Sequence, residues 1–157
     1  MTEQRALEAL DASGIAYRLV RHGRVRSLVE AAVARGVEPA AVVKTIVVRR
    51  GDDDFLFVLV PGDRTIAWPK LRALLGVSRL SMPDAATARG VTGYERGTIT
   101  PFGSLRAWPV IADQRLSGRR ISIGAGAHGI AATVDGDDLI RTLGATAADV
   151  TEPAGHI

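Results

Sequence analysis

Three places in the sequence carry residue types able to do chemistry. The first is Lys44, one of only two lysines in an arginine-rich chain. It interrupts the apolar, β-branched run Val42-Val43-Lys44-Thr45-Ile46-Val47-Val48. Side chains alternate faces along a strand, so Lys44 shares a face with Val42, Ile46 and Val48. An ammonium there either snorkels to solvent on its aliphatic stem or sits in a polar pocket. The second place is Thr92–Gly103, where three glycines and one proline fall within twelve residues. Glycine lets backbone amides and carbonyls approach a ligand closely, so this segment reads either as a ligand cradle or as an ordinary ordered surface loop. The third is Gly124-Ala125-Gly126-Ala127-His128-Gly129, a glycine-rich turn between two strand-like runs. It lacks the Gly-Lys-Ser/Thr ending of a phosphate-binding P-loop, and no helix follows it directly. A tight turn with close backbone approach to a small ligand is the better reading.

What the chain lacks narrows the chemistry. It has no cysteine, which removes disulfides, thiolate metal ligands and a cysteine nucleophile together. The histidines are His22, His128 and His156, too scattered to make a metal site without cysteine or a carboxylate cluster. His156 is next to the C-terminal residue and is expected to be disordered. No serine sits in a Gly-x-Ser-x-Gly elbow. Asp52-Asp53-Asp54 and Asp137-Asp138 read as solvated turn and helix-start residues. No metal and no cofactor is expected.

These residues need elements to position them. Residues 3–12 carry Ala6, Leu7 and Leu10 at helical spacing and stop at Gly14. Ile15 to Val20 read as a strand. Ser27-Leu28-Val29-Glu30 is a capping-box pattern that opens a helix running to Arg35, with Gly36 as its stop. Val42–Val48 and Phe55–Val60, joined by Gly51-Asp52-Asp53-Asp54, read as a hairpin. After the turn Pro61-Gly62-Asp63 comes a helix from Pro69 to Leu75, then one from Asp84 to Arg89. The stretch Gly90–Gly103 reads as irregular. Strands follow at Ala107–Ala112, Arg120–Ile123 and Ile130–Val134, and a helix at Asp137–Leu143 closes the pattern. Mixed helices and hairpin-linked strands predict an α+β domain, not a doubly wound parallel sheet.

The chain has 157 residues, which fits a single domain over 1–157. Hydrophobic residues make up 46%, enough for a core. Aromatics are only 4%, so aliphatic side chains must do most of the packing. No apolar run reaches the roughly 20 residues a membrane span needs, and the polar N-terminus does not read as a signal peptide. A cytoplasmic protein with no membrane partner is expected. The formal net charge is +3. Arginine's planar fork suits phosphate, so a polyanionic partner fits, but an arginine- and alanine-rich genomic composition accounts for the charge equally well.

The three places occur in the order and context of one family. The chain resembles the YbaK family, related to the editing domain inserted in bacterial prolyl-tRNA synthetases. The resemblance covers nearly the whole length. It rests on Ala31-Ala32 with Gly36, Val43-Lys44-Thr45, Pro61-Gly62-Asp63, Thr92-Gly93-Tyr94, the Gly97-Thr98-Ile99-Thr100-Pro101 loop with Phe102-Gly103, and the Gly126-x-x-Gly129 turn before Asp138-Leu139. It implies an α+β fold around a central barrel-like mixed β-sheet. It implies an aminoacyl-tRNA deacylase acting in trans on the ester of mischarged tRNA, such as Cys- or Ala-tRNA(Pro) or another small amino acid. The implied partners are the aminoacyl-tRNA acceptor end and a synthetase.

Residue by residue, the resemblance gives catalytic positions Lys44, Gly97 and Pro101. It gives substrate-binding positions Thr45, Thr98, Ile99, Thr100, Gly124 and Gly126, with His22 and His128 at the pocket edge. The chain departs from better-known members at the late turn, where they carry serine and basic residues. Here Gly124 replaces a polar side chain and Ala127-His128 replaces a basic pair. Two alternatives stay open beside the editing reading. One is a non-catalytic module that binds RNA ends or a nucleotide. The other is a regulatory or interaction protein with a vestigial pocket.

Overall fold

The computed structural model describes residues 2–155; His156, with Met1 and Ile157, lies outside the described residues. Helix α1 (Thr2–Ser13) leads into strand β1 (Arg18–Arg21). Helix α2 (Leu28–Arg35) starts at Ser27, whose hydroxyl accepts a hydrogen bond from the Glu30 amide at 3.1 Å. The reciprocal half of the capping box does not form, because the Glu30 carboxylate accepts from the Arg26 amide at 3.3 Å instead. Gly36 ends α2 in the left-handed region at φ 72°.

The hairpin forms as strands β2 (Val43–Gly51) and β3 (Asp54–Pro61), with Lys44 opposite Val60. A short strand β4 (Arg64–Ile66), helix α3 (Trp68–Leu75) and helix α4 (Ala85–Thr92) follow. Helix α4 runs past the expected end at Arg89 and through Gly90 to Gly93, because Thr92 bonds back to the Ala88 carbonyl at 2.8 Å and prolongs the last turn. Strand β5 is Val110–Asp113, later than the expected Ala107 start. Strands β6 (Arg120–Gly124) and β7 (Ile130–Asp135), helix α5 (Gly136–Leu143) and strands β8 (Thr146–Ala148) and β9 (Thr151–Pro153) complete the order.

The α+β class is borne out, with no closed barrel. The strands form three sheets, in the orders β1-β7-β6, β2-β3-β5-β8 and β4-β9. The second is mixed: β2–β3 is antiparallel, while β3–β5 and β5–β8 are parallel. A parallel bridge, Val42 to Ser122, links the first sheet to the second. Beyond that bridge no further pairing joins β2 to β6 among the described residues.

Strand β3 is buried on both faces, and the core splits across it. Val43, Val47, Phe57 and Leu59 pack with Leu10, Ile121 and Ile123 on one side. Val48, Leu56, Val58 and Val60 pack with Ile66 and Leu71 on the other. This apolar sandwich fixes the β2 backbone and so the place of Lys44. No helix among the described residues is long and apolar enough to cross a membrane.

Candidate functional site

Lys44 lies near the start of β2, on the face that carries Ile46 and Val48. Its ammonium reaches the Arg64 carbonyl and donates to it at 2.5 Å. That carbonyl is itself held. The Arg64 side chain donates to Thr151 Oγ1 at 2.7 Å and to the Thr151 carbonyl at 3.2 Å. Thr151 Oγ1 in turn donates to the fully buried Asp113 carboxylate at 2.7 Å. The two short strands β4 and β9 thus anchor the partner of the lysine. Partial burial lowers the Lys44 pKa below the ordinary lysine value, and the Asp63 carboxylate offsets part of that fall.

A cavity of about 290 Å³ opens beside Lys44, lined by Arg35, Val42, Val43, Thr45, Gly97, Ile99 and Gly124. Four separate stretches meet there: the end of α2, the edge of β2, the loop after α4 and the end of β6. Of the expected site residues, Lys44, Thr45, Gly97, Ile99 and Gly124 come together on this one cavity. The Thr45 hydroxyl is shielded from solvent and has no hydrogen-bond partner among the described residues. Among the described residues, no carboxylate and no histidine lines the cavity.

The loop is held from behind by α1. Arg5 donates to the carbonyls of Gly103 at 2.6 Å and Gly93 at 3.0 Å, and its guanidinium lies 4.6 Å from the Tyr94 ring centroid. Tyr94, fully buried, donates from its hydroxyl to the Phe102 carbonyl at 2.6 Å. The loop also reaches across to the β6–β7 turn, where the Gly126 amide donates to the Thr98 carbonyl at 3.2 Å.

The remaining expected residues lie around this centre. His22 and His128 line a neighbouring cavity of about 530 Å³ with Arg24 and Gly129. His128 also adjoins Gly97: a β-carbon built on Gly97 would lie 3.4 Å from its Cε1. Thr98, Gly126 and His128 share a third, smaller cavity of about 220 Å³. Thr100 and Pro101 line none of these three. The Thr100 hydroxyl accepts from the Phe102 amide at 3.3 Å and the Pro101 carbonyl from the Ser104 amide at 3.4 Å, so both shape the loop. Gly126 sits where a β-carbon would meet the Thr2 carbonyl at 2.7 Å, so it lets α1 close on the turn.

Arg35 is the charged lining residue that sequence reasoning missed; the apolar Val42 and Val43 were also not among the expected site residues. An arginine in the last turn of a helix reads as a partner of the helix dipole. Its proximity to β6 depends on a contact with Ser122, 87 residues away.

The sequence matches the aminoacyl-tRNA editing domain family over residues 22–142. The chain belongs to this family. It is 36% identical over 87 residues to the proline–tRNA ligase of Desulforamulus reducens, covering 55% of the chain and 15% of the ligase. It is 34% identical over 121 residues to the proline–tRNA ligase of Desulfovibrio desulfuricans, covering 77% of the chain and 20% of the ligase. The chain therefore spans a fifth or less of these ligases. The fold is similar to the crystal structure of a candidate trans-editing enzyme for prolyl-tRNA synthetase. The TM-score is 0.88 at 26% identity, over 96% of this chain and 97% of that one.

Proposed function

We propose that this editing domain is a deacylase acting in trans, as a single domain, on mischarged tRNA. It cleaves the ester between a small amino acid and the terminal ribose. The observation that carries the reading is the convergence of Lys44, Gly97, Ile99 and Gly124 on one cavity. Water adds to the ester carbonyl carbon and the bond to the ribose oxygen breaks. The amino acid leaves as a carboxylate; one proton of the water goes to the ribose oxygen and the other to solvent. Lys44 stabilises the negative charge that develops on the carbonyl oxygen. Backbone groups of Gly97–Ile99 orient the amino group and the water. An aminoacyl ester is already activated, so positioning supplies much of the rate. A hydroxyl of the substrate's ribose orients the water, which suits a cavity lined by neither carboxylate nor histidine.

The cavity volume of about 290 Å³ lies at the bottom of the range for ligand pockets and favours a small side chain. Cysteine or alanine on tRNA(Pro) fits that size and the similarity to proline–tRNA ligases. The substrate then enters by its acceptor end.

The test is deacylation of a panel of mischarged tRNAs by the wild type and Lys44→Ala. Hydrolysis is expected above the uncatalysed rate, with a loss of about 10²–10³ in kcat in the variant. If charged tRNA binds but no ester is cleaved faster than background, the protein is an RNA-end binding module. If Lys44→Ala keeps full activity, the lysine is misassigned although the reaction stands.

A further inference from the structure

The cavity holds a second cation that the hydrolysis reading leaves without a task. Arg35 is half-buried at the C-terminal end of α2 and is one of the residues that line the cavity. Among the described residues no carboxylate pairs with it. Its one hydrogen bond is a long one, 3.5 Å from Nη1 to the Ser122 hydroxyl. Its Nε is shielded from solvent and has no partner. Burial alone pulls its pKa below the ordinary arginine value. Arg21, Arg49, Arg50, Arg106, Arg115 and Arg141 have carboxylate partners, and Arg24 and Arg26, which have none among the described residues, are exposed.

A desolvated guanidinium with no counter-charge is costly in the free protein. The cost is recovered when an anion enters the cavity and meets the planar fork, which suits a phosphate or a carboxylate. The helix dipole at the end of α2 accounts for a cation in the last turn. It does not account for a side chain turned inward toward Ser122 and the cavity.

Building on the deacylase reading, we propose that Arg35 binds the 5′-phosphate of the terminal nucleoside of the substrate. This is the fixed anion of a charged acceptor end closest to the ester. The assignment divides the two cations: Arg35 anchors the nucleotide, and Lys44 is left for the ester carbonyl. The other source of the same chemistry is a carboxylate, that of the released amino acid.

The experiment measures binding of adenosine 5′-monophosphate, adenosine and free alanine by titration calorimetry. The proteins are the wild type, Arg35→Gln and Arg35→Lys. The wild type is expected to prefer the monophosphate over adenosine by about 10- to 100-fold, the range for hydrogen bonds to charged groups. In Arg35→Gln that preference falls toward one. Arg35→Lys retains the stem and the charge without the fork, and is expected to recover part of it.

The proposal is overturned if the wild type binds adenosine and its monophosphate equally. It is also overturned if Arg35→Gln and Arg35→Lys keep the full preference, or if free alanine competes at Arg35 while the monophosphate does not. None of these readouts needs turnover. A protein that discriminates the phosphate through Arg35 but cleaves no ester retains this inference and loses the deacylase reading.

Discussion

Gly97 and Gly126 both have positive φ, 88° in each, yet alanine is expected to act differently at the two. In Gly126→Ala the new β-carbon would lie 2.7 Å from the Thr2 carbonyl and 3.0 Å from both Ala6 Cβ and Tyr94 Cε1. The Thr2 carbonyl and the fully buried Tyr94 ring cannot yield without moving α1 off the turn. Left-handed strain costs about 1–2 kcal/mol, and overpacking adds about 1–3 kcal/mol. The expected loss is about 2–5 kcal/mol out of a total of roughly 5–15 kcal/mol. In a chain of this length that lowers Tm by roughly 4–20 °C. In Gly97→Ala the contact is the end of an exposed side chain, His128 Cε1 at 3.4 Å. Only the left-handed strain of about 1–2 kcal/mol applies. Gly97, however, lines the cavity beside Lys44, where displacement of a reacting group by an ångström costs about 10²-fold in rate. Denaturant and thermal unfolding, with deacylation measured per folded molecule, separate the two. Gly126→Ala should lose stability and keep most activity per folded molecule; Gly97→Ala should do the reverse. If Gly126→Ala is as stable as the wild type but inactive, the packing account of that glycine is wrong and it contacts substrate.

Other consequences can be checked with the same assays. Arg5→Ala removes charge-assisted bonds to Gly93 and Gly103 and the contact with Tyr94, and should cost about 2–4 kcal/mol by denaturant unfolding. Asp113→Ala leaves the buried Thr151 hydroxyl and Val150 amide without their acceptor and should cost about 3–5 kcal/mol. It also loosens the Thr151–Arg64–Lys44 chain, so kcat should fall even in the molecules that remain folded. If activity requires the Lys44 ammonium, enzymatic deacylation corrected for spontaneous hydrolysis is flat at neutral pH. It then falls as pH rises through a pKa below the ordinary lysine value. An alkaline limb that survives in Lys44→Ala would assign that titration elsewhere. Gly124→Ser meets only ordinary contacts, the nearest at 3.7 Å, and Gly124 does not have a positive φ. It should fold with stability within about 0.5 kcal/mol of the wild type and shift the substrate panel toward smaller amino acids.

Local signals carried the elements that flank the site. The β-branched run around Lys44, the Ser27 cap and the glycine stop at Gly36 each encode their geometry within a few residues, and all appear where expected. Three strands were not legible. β4, β8 and β9 are three residues each, too short to show a period, and form only because a partner strand lies beside them. Yet β4 and β9 hold the carbonyl that anchors Lys44. The resemblance implied a barrel-like sheet, but strand alternation alone does not say whether β6 and β2 pair along their lengths or touch at one bridge. The cavity is lined from four stretches far apart in the chain, so local sequence signals do not reveal it.

The site is assembled from groups that folding alone disfavours. The Lys44 ammonium is partly desolvated, Arg35 has no counter-charge, and Gly97 is held in a conformation other residues avoid. A lysine whose pKa is lower in the folded state than in the unfolded one weakens the fold while it is charged. Between the folded pKa and the ordinary lysine value, the unfolded chain binds the extra proton, so stability rises with pH through that window. Replacing Lys44 by methionine keeps an aliphatic stem on the same strand face and removes that cost. The Arg64 carbonyl loses a donor, but the side chain is exposed and water takes its place. Lys44→Met is therefore expected to unfold at the same or a higher denaturant concentration than the wild type at pH 7 while losing deacylation. A Lys44→Met protein that is clearly less stable would mean that the bond to Arg64 holds the fold together, and that the lysine is kept for structure and not for chemistry.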